Sequence, residues 1–225
     1  MAAADLDGTP LVPRSALLPT TARKPHTVYV VCYHTMPLQT LIAALQQYFQ
    51  HHTRMGTDTY IWLDIFAVDL TAPMDVTHAT SAIAAASKVA LIIDENADVF
   101  SRAWCLFELW WANHAHSHRG PPSTWLHVLP TGYQSDSMAL VEALFAASFA
   151  DAKCTIQADH AALLQHLRSA RMGSTHGFHG DSYIAMAVVD TVWSVLLQHV
   201  QRARPQSGRE EANIEAVRTM SVRST

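Results

Sequence analysis

One acidic side chain, Glu108, stands in the run S-R-A-W-C-L-F-E-L-W-W from Ser101 to Trp111, among Trp104, Leu106, Phe107, Leu109, Trp110 and Trp111. No lysine or arginine follows within the same helical turn to neutralise it. A carboxyl group in apolar company costs free energy unless it is partnered, so its placement points to a function. Trp104 and Glu108 are four residues apart, and in a helix they share one face, one turn above the other. The chemistry open to such a wall is electrostatic and stacking: a carboxylate held beside a developing positive charge stabilises it, and an indole packs on an aromatic base. Glu108 also reads as a partly exposed helix acid, with Trp104 and Trp110 as packing.

Two further residues are candidates because of where they fall. Asp64 interrupts the otherwise apolar second strand, about Thr59 to Val68, near its carboxyl end, where it serves either a ligand or a turn and helix cap. His34 follows the first strand in V-C-Y-H-T. Other histidines carry less. His114 and His118 would reach one metal from adjacent helix turns with His116 between them, but no cysteine or acid nearby completes a zinc set of three or four ligands, so no metal site is expected. His176 and His179 lie in the glycine-rich M-G-S-T-H-G-F-H-G and read equally well as solvated. Triphosphatase, zinc-peptidase and serine-hydrolase signatures are missing from the chain.

The elements that must position these residues alternate. The β-branched V-Y-V-V-C between His26 and Tyr33 predicts a first strand buried on both faces. From Pro37 a helical period follows, with Leu38, Leu41, Ile42, Leu45, Tyr48 and Phe49 on one side and Gly56 as terminator. A second strand is expected from about Thr59 to Val68, then a helix capped by Asp75 or Thr77 and running through Ala86. Val89–Ile93 predicts a third strand, and D-E-N-A-D the turn before a helix that Ser101 caps. W-L-H-V-L is a fourth strand and Ser137–Ala147 a helix. Ala152–Ala158, with alternating polar positions, is expected as an edge strand, and Asp159 as the cap of a helix to about Arg171. Asp181–Arg202 closes the series as a long amphipathic helix.

Five strands alternating with helices predict an α/β fold: an open, five-stranded parallel sheet in a three-layer arrangement, since parallel neighbours need crossovers of this length. Glu108 then stands in the first two turns of a helix beginning beyond the carboxyl end of a strand, the edge where ligands bind in such sheets.

Composition sets the outer bounds. With 225 residues, 49% hydrophobic and 15% charged, the chain can bury one substantial core. Residues 1–25 carry no periodic pattern and read as a disordered leader, 26–202 as the domain, and 203–225, rich in Arg, Glu and Ser, as a flexible tail. The formal net charge of -4 gives no reason to expect nucleic acid or an anionic membrane. No apolar run reaches the length of a membrane span, and Cys32, Cys105 and Cys154, odd in number and far apart, suggest a reducing compartment; a cytoplasmic location is expected.

The segment S-R-A-W-C-L-F-E-L resembles the S-x-W-C-L-x-E-L segment of plant Toll/interleukin-1 receptor (TIR) domains. Y-I-W-L-D-I-F-A-V-D-L, from Tyr60 to Leu70, is similar to the W-L-D-I-F-A-V segment of a TIR-like family of algae and protists. The resemblance spans about residues 27–200, in that order of motifs. It implies a flavodoxin-like strand order 2-1-3-4-5 and self-association with other TIR-like domains. It also implies an NAD+ nucleosidase that cleaves the nicotinamide–ribose bond, with NAD+ or a related nucleotide as substrate and no cofactor. On that reading Glu108 is the catalytic residue, Trp104 lines the base pocket and Ser101 hydrogen-bonds a ribose hydroxyl or caps the helix, with His34 and Asp64 beside the substrate. The pattern departs from the family in two places: the plant-type basic residue after the first strand is replaced by His34, and the loop after the second strand lacks the common glycine. A non-catalytic TIR-like interaction module is the alternative.

Overall fold

The computed structural model describes residues 27–51, 59–64, 76–131, 137–171 and 180–203. In chain order the elements are β1 (Thr27–Val31), α1 (Leu38–His51), β2 (Tyr60–Trp62), α2 (Val76–Ala85), β3 (Lys88–Ile93), α3 (Ala103–His116), β4 (Leu126–Pro130), α4 (Ser137–Phe145), α5 (Gln157–Arg171) and α6 (Gly180–Ala203). The second strand, expected to run to Val68, ends at Trp62, and Asp64 is already helical. Gly56, residues 65–75, the loop with His176 and His179, the leader and the tail from 204 lie outside the described residues.

The four strands form one parallel sheet in the order β2-β1-β3-β4. β1 pairs with both β2 and β3: Tyr29 faces Trp62 on one side and Val89 on the other. Val89–Ile93 faces Leu126–Pro130 along β4. The aliphatic runs V-Y-V-V and V-A-L-I-I are buried from end to end. Strands covered on both faces need no polar alternation, and β-branched residues fit the pleated surface. β2, at the edge, is only half-buried.

A fifth strand was expected at Ala152–Ala158, and the structure corrects this. A single parallel bridge joins Lys153 to Arg102, and α5 begins at Gln157. Lys153 N–H donates to the Ser101 carbonyl at 2.8 Å, and Ala103 N–H donates to the Lys153 carbonyl at 3.1 Å. Alternating polar residues report one-sided exposure, and an extended segment laid across a helix start satisfies that as well as a sheet edge does.

α1 departs from its period in one respect. Leu41, Ala44 and Tyr48 are buried, but Leu38 and Ile42 are 56% and 45% exposed, so the helix presents a narrower stripe to the sheet than its apolar residues would cover. α3 is the opposite case, with Ala103 to Trp110 all buried. It packs against α2, α5 and α6 and against β1. A helix apolar on nearly every side belongs inside a layered domain. Trp111 Nε1–H donates to the Thr80 carbonyl at 3.1 Å, tying α3 to α2. No helix among the described residues is long and apolar enough to cross a membrane.

Candidate functional site

The ligand-facing edge of this sheet follows from its strand order. The chain leaves β1 toward β2 on one side and returns to β3 on the other, so the crevice beyond β1 and β3 is a topological switch point, where open α/β sheets bind ligands. Cys32, Tyr33 and His34 leave the end of β1 there, Asp64 follows β2, and α3 starts beyond β3. A cleft at this place is lined by those four residues, by Arg102, Trp104, Cys105 and Glu108, and by Lys153 and Thr155. Its empty volume is about 340 Å³ with the open solvent at its mouth included. The enclosed part has room for about one water.

Glu108 forms part of the wall at 2% exposure. The Tyr29 hydroxyl donates to Glu108 Oε1 at 2.6 Å. Burial pushes the carboxyl pKa well above the usual carboxylate range, the nearby Asp64 charge pushes it further, and the Tyr29 hydrogen bond pulls the other way. Glu108 therefore behaves as an acid biased toward its neutral form, with one strong donor ready to support the anion. Burial of Leu106, Phe107, Leu109 and Trp110 on the same helix, each worth roughly 1.5–3 kcal/mol or more, readily outweighs one hydrogen-bonded neutral carboxyl.

His34 and Asp64 meet at the rim, with Nε2 2.5 Å from Oδ2. The hydrogen bond to Asp64 raises the His34 pKa, against burial, which lowers it. Two neighbouring strand ends thus carry a short histidine–carboxylate pair at the mouth, with Glu108 beneath. Cys32 and Cys105 also line the cleft, and the Cys105 thiol donates to the Cys32 carbonyl at 3.5 Å. Burial drives both thiols up, away from the thiolate form a nucleophilic cysteine needs. All three cysteines, Cys154 included, are free.

The structure brings together four of the five residues singled out in the sequence: Glu108, Trp104, His34 and Asp64. Trp104 sits in the wall rather than standing free. It is 8% exposed, its ring meets Phe107 edge-on at 5.7 Å, and its Nε1–H donates to Asp159 Oδ2 at 2.9 Å. Asp159, expected as a helix cap, instead lies within the first turn of α5 and is buried as this acceptor. Ser101 is elsewhere. It ends the short 3₁₀ turn Asp98–Ser101, donates its hydroxyl to the Asp98 carbonyl at 2.8 Å, and lines a second cleft with Asn96, Phe100 and Asp151. Arg102 occupies the N-cap of α3 and makes no side-chain cap bond. The extra turn after β3 displaces Ser101: the Asp94 carboxylate accepts from the Asp98 N–H at 3.0 Å and the Asp94 carbonyl from the Ala97 N–H at 3.0 Å, closing that loop.

Tyr29 was missed. A tyrosine in an aliphatic strand buried on both faces must find a partner for its hydroxyl, and that was the available signal. Arg102 and Lys153 were not anticipated at the cleft either, because only the bridge between their segments brings them there. His116, considered as a metal neighbour, is buried, with Nε2–H donating to the Ile83 carbonyl at 3.0 Å, and His114 stacks on Trp110. No family model matches the chain, and no curated protein matches it at a significant level.

Proposed function

We propose that the chain is a TIR-like domain whose Glu108 cleft hydrolyses NAD+ at the nicotinamide–ribose bond. The observation that carries this reading is the Glu108 carboxyl. It is buried, hydrogen-bonded by Tyr29, and shares a switch-point cleft with Trp104, His34 and Asp64. The motifs W-L-D-I-F-A-V and W-C-L-F-E-L, in that order, and the strand order 2-1-3-4 with flanking helices agree with a flavodoxin-like, TIR-like arrangement.

The chemistry follows from the charge of the substrate. A pyridinium ring entering the cleft brings a positive charge next to a carboxyl that burial keeps neutral, and the opposite charge favours the anion. Glu108 releases its proton to water at the cleft mouth, and the Tyr29 hydroxyl supports the carboxylate that forms. As the C1′–N bond breaks, its electron pair goes to the ring nitrogen, nicotinamide departs neutral, and the carboxylate stabilises the oxocarbenium-like ribose. Water then bonds to C1′ and loses its proton at the mouth, where the His34–Asp64 pair can accept it.

A protein-interaction role rests on a separate observation: α6 presents Tyr183, Met186 and Leu197 to solvent, with Phe145 of α4 also exposed. Release of nicotinamide from NAD+, followed at high protein concentration to allow self-association, separates the two readings. Wild type should release nicotinamide, and Glu108→Gln should lose roughly a hundredfold or more, as removal of one transition-state electrostatic contact does. Wild type silent at every concentration would leave the interaction role standing alone.

A further inference from the structure

Two cations face the same cleft as Glu108 and are held together by the backbone. Arg102 and Lys153 are bridge partners, which sets their Cα atoms about 4.8 Å apart, the spacing of neighbouring strands. The hydrogen bonds that fix them, Lys153 N–H to the Ser101 carbonyl and Ala103 N–H to the Lys153 carbonyl, are main-chain only. The pairing is therefore independent of either side chain.

Among the described residues neither side chain has a carboxylate within salt-bridge distance. The Arg102 guanidinium donates to the uncharged Thr35 hydroxyl at 3.3 Å and lies over the Tyr33 ring at 6.0 Å. Lys153 is exposed, and among the described residues its ammonium has no polar partner. The acids close by are engaged otherwise: Asp64 with His34, Asp159 with Trp104, and Asp94 with Tyr33 and the Asp98 N–H. Both residues line the same cleft, so an anion entering it meets two positive charges. The cleft lining beside them adds the Thr155 hydroxyl as a further donor.

We propose that Arg102, Lys153 and Thr155 form a seat for phosphate oxygens at the mouth of the Glu108 cleft, suited to a diphosphate. This extends the reading of Glu108 to the ligand's second part and rests on it for the identity of the substrate. The guanidinium offers paired N–H donors matched to a phosphate, and the flexible ammonium supplies a point charge to a second one. The seat restores the cationic contact that the sequence lacks after β1, from a different part of the chain. A dinucleotide would then lie with its pyridinium inward over Glu108 and its diphosphate outward over the two cations.

The probe is inorganic pyrophosphate, titrated calorimetrically into the full chain at low and at moderate salt. Wild type should bind it, with affinity falling as salt rises. Arg102→Gln and Lys153→Gln should each weaken binding roughly tenfold or more, the usual loss for a hydrogen bond to a charged group. Lys153→Gln alters only an exposed side chain, so retained thermal stability separates lost binding from lost fold. Glu108→Gln should leave pyrophosphate binding intact. No binding by wild type, or equal binding by the double variant, overturns the seat. Pyrophosphate bound through Arg102 and Lys153 in a protein that releases no nicotinamide would uphold the seat and sink the hydrolase. Nicotinamide release with an unchanged KM for NAD+ in both variants would do the reverse.

Discussion

A buried carboxyl pushed toward its neutral form carries a stability penalty that can be measured. In the unfolded chain Glu108 ionises near its ordinary value of 4.5, whereas in the fold it holds its proton to well above that. Between those two values the folded state binds more protons than the unfolded one, so stability falls as pH rises. Glu108→Gln keeps an oxygen for the Tyr29 hydroxyl and removes the titration. It should therefore raise the melting temperature, by an amount that grows from pH 5 to pH 8. A variant no more stable than wild type at pH 8 would mean that the carboxyl is ionised and comfortable in the fold. Such a gain in stability with loss of activity is the exchange expected of a strained functional residue. At this scale Glu108 and Trp104 were legible because a spacing of four places both on one helix face whatever the tertiary fold. Tyr29 was not, because its partner is 79 positions away in the sequence.

The elements around the site succeed or fail as supports through a few long-range polar contacts inside an apolar interior. Trp104 Nε1–H to Asp159 joins α3 to α5, and both groups are buried. Trp104→Phe keeps most of the ring packing but removes the hydrogen bond to the Asp159 carboxylate, a loss of about 1.5–3 kcal/mol. Denaturant unfolding should detect it as a lower midpoint with an unchanged slope. A variant as stable as wild type would show that the indole N–H contributes nothing to the junction. The helices and the first, third and fourth strands could be read from periodicity, since runs such as V-A-L-I-I and the apolar stripe of α6 reflect local burial, whereas the apolar run after Thr59 hid the end of β2 at Trp62. The bridge at Lys153 could not, because extended residues laid over a helix start and residues in a sheet edge obey the same alternation. The start of α3 at Arg102 rather than Ser101 was hidden for a related reason. Asp94, seven residues earlier, closes the intervening loop and leaves the serine no capping role.

Across the whole molecule, one sheet with its strand order reversing at β1 gathers residues 34, 64, 102, 108 and 153 to one edge. The same interior also holds a group whose titration works against the fold in acid. His116 is fully buried beneath Trp125, and burial, reinforced by the Arg119 charge, lowers its pKa from 6.5 to about 4. A group with a depressed folded pKa contributes all its stability above about pH 6.5 and loses it progressively as pH falls toward about 4. His116→Gln should be less stable than wild type at pH 7 yet lose less on going to pH 5, read by denaturant midpoints at the two values. Equal losses would remove His116 as the cause. The strand order was foreseeable only through the family resemblance, since periodicity fixes which segments pair with something but not with which neighbour. The measurement that bears most directly on the proposed function is kcat/KM for nicotinamide release from NAD+ across pH 5 to 9, in wild type and Glu108→Gln. The account predicts a rate that climbs with pH, with its midpoint above the ordinary carboxylate range, and that collapses in the variant. A profile already flat from pH 5, or a variant as active as wild type, would contradict it.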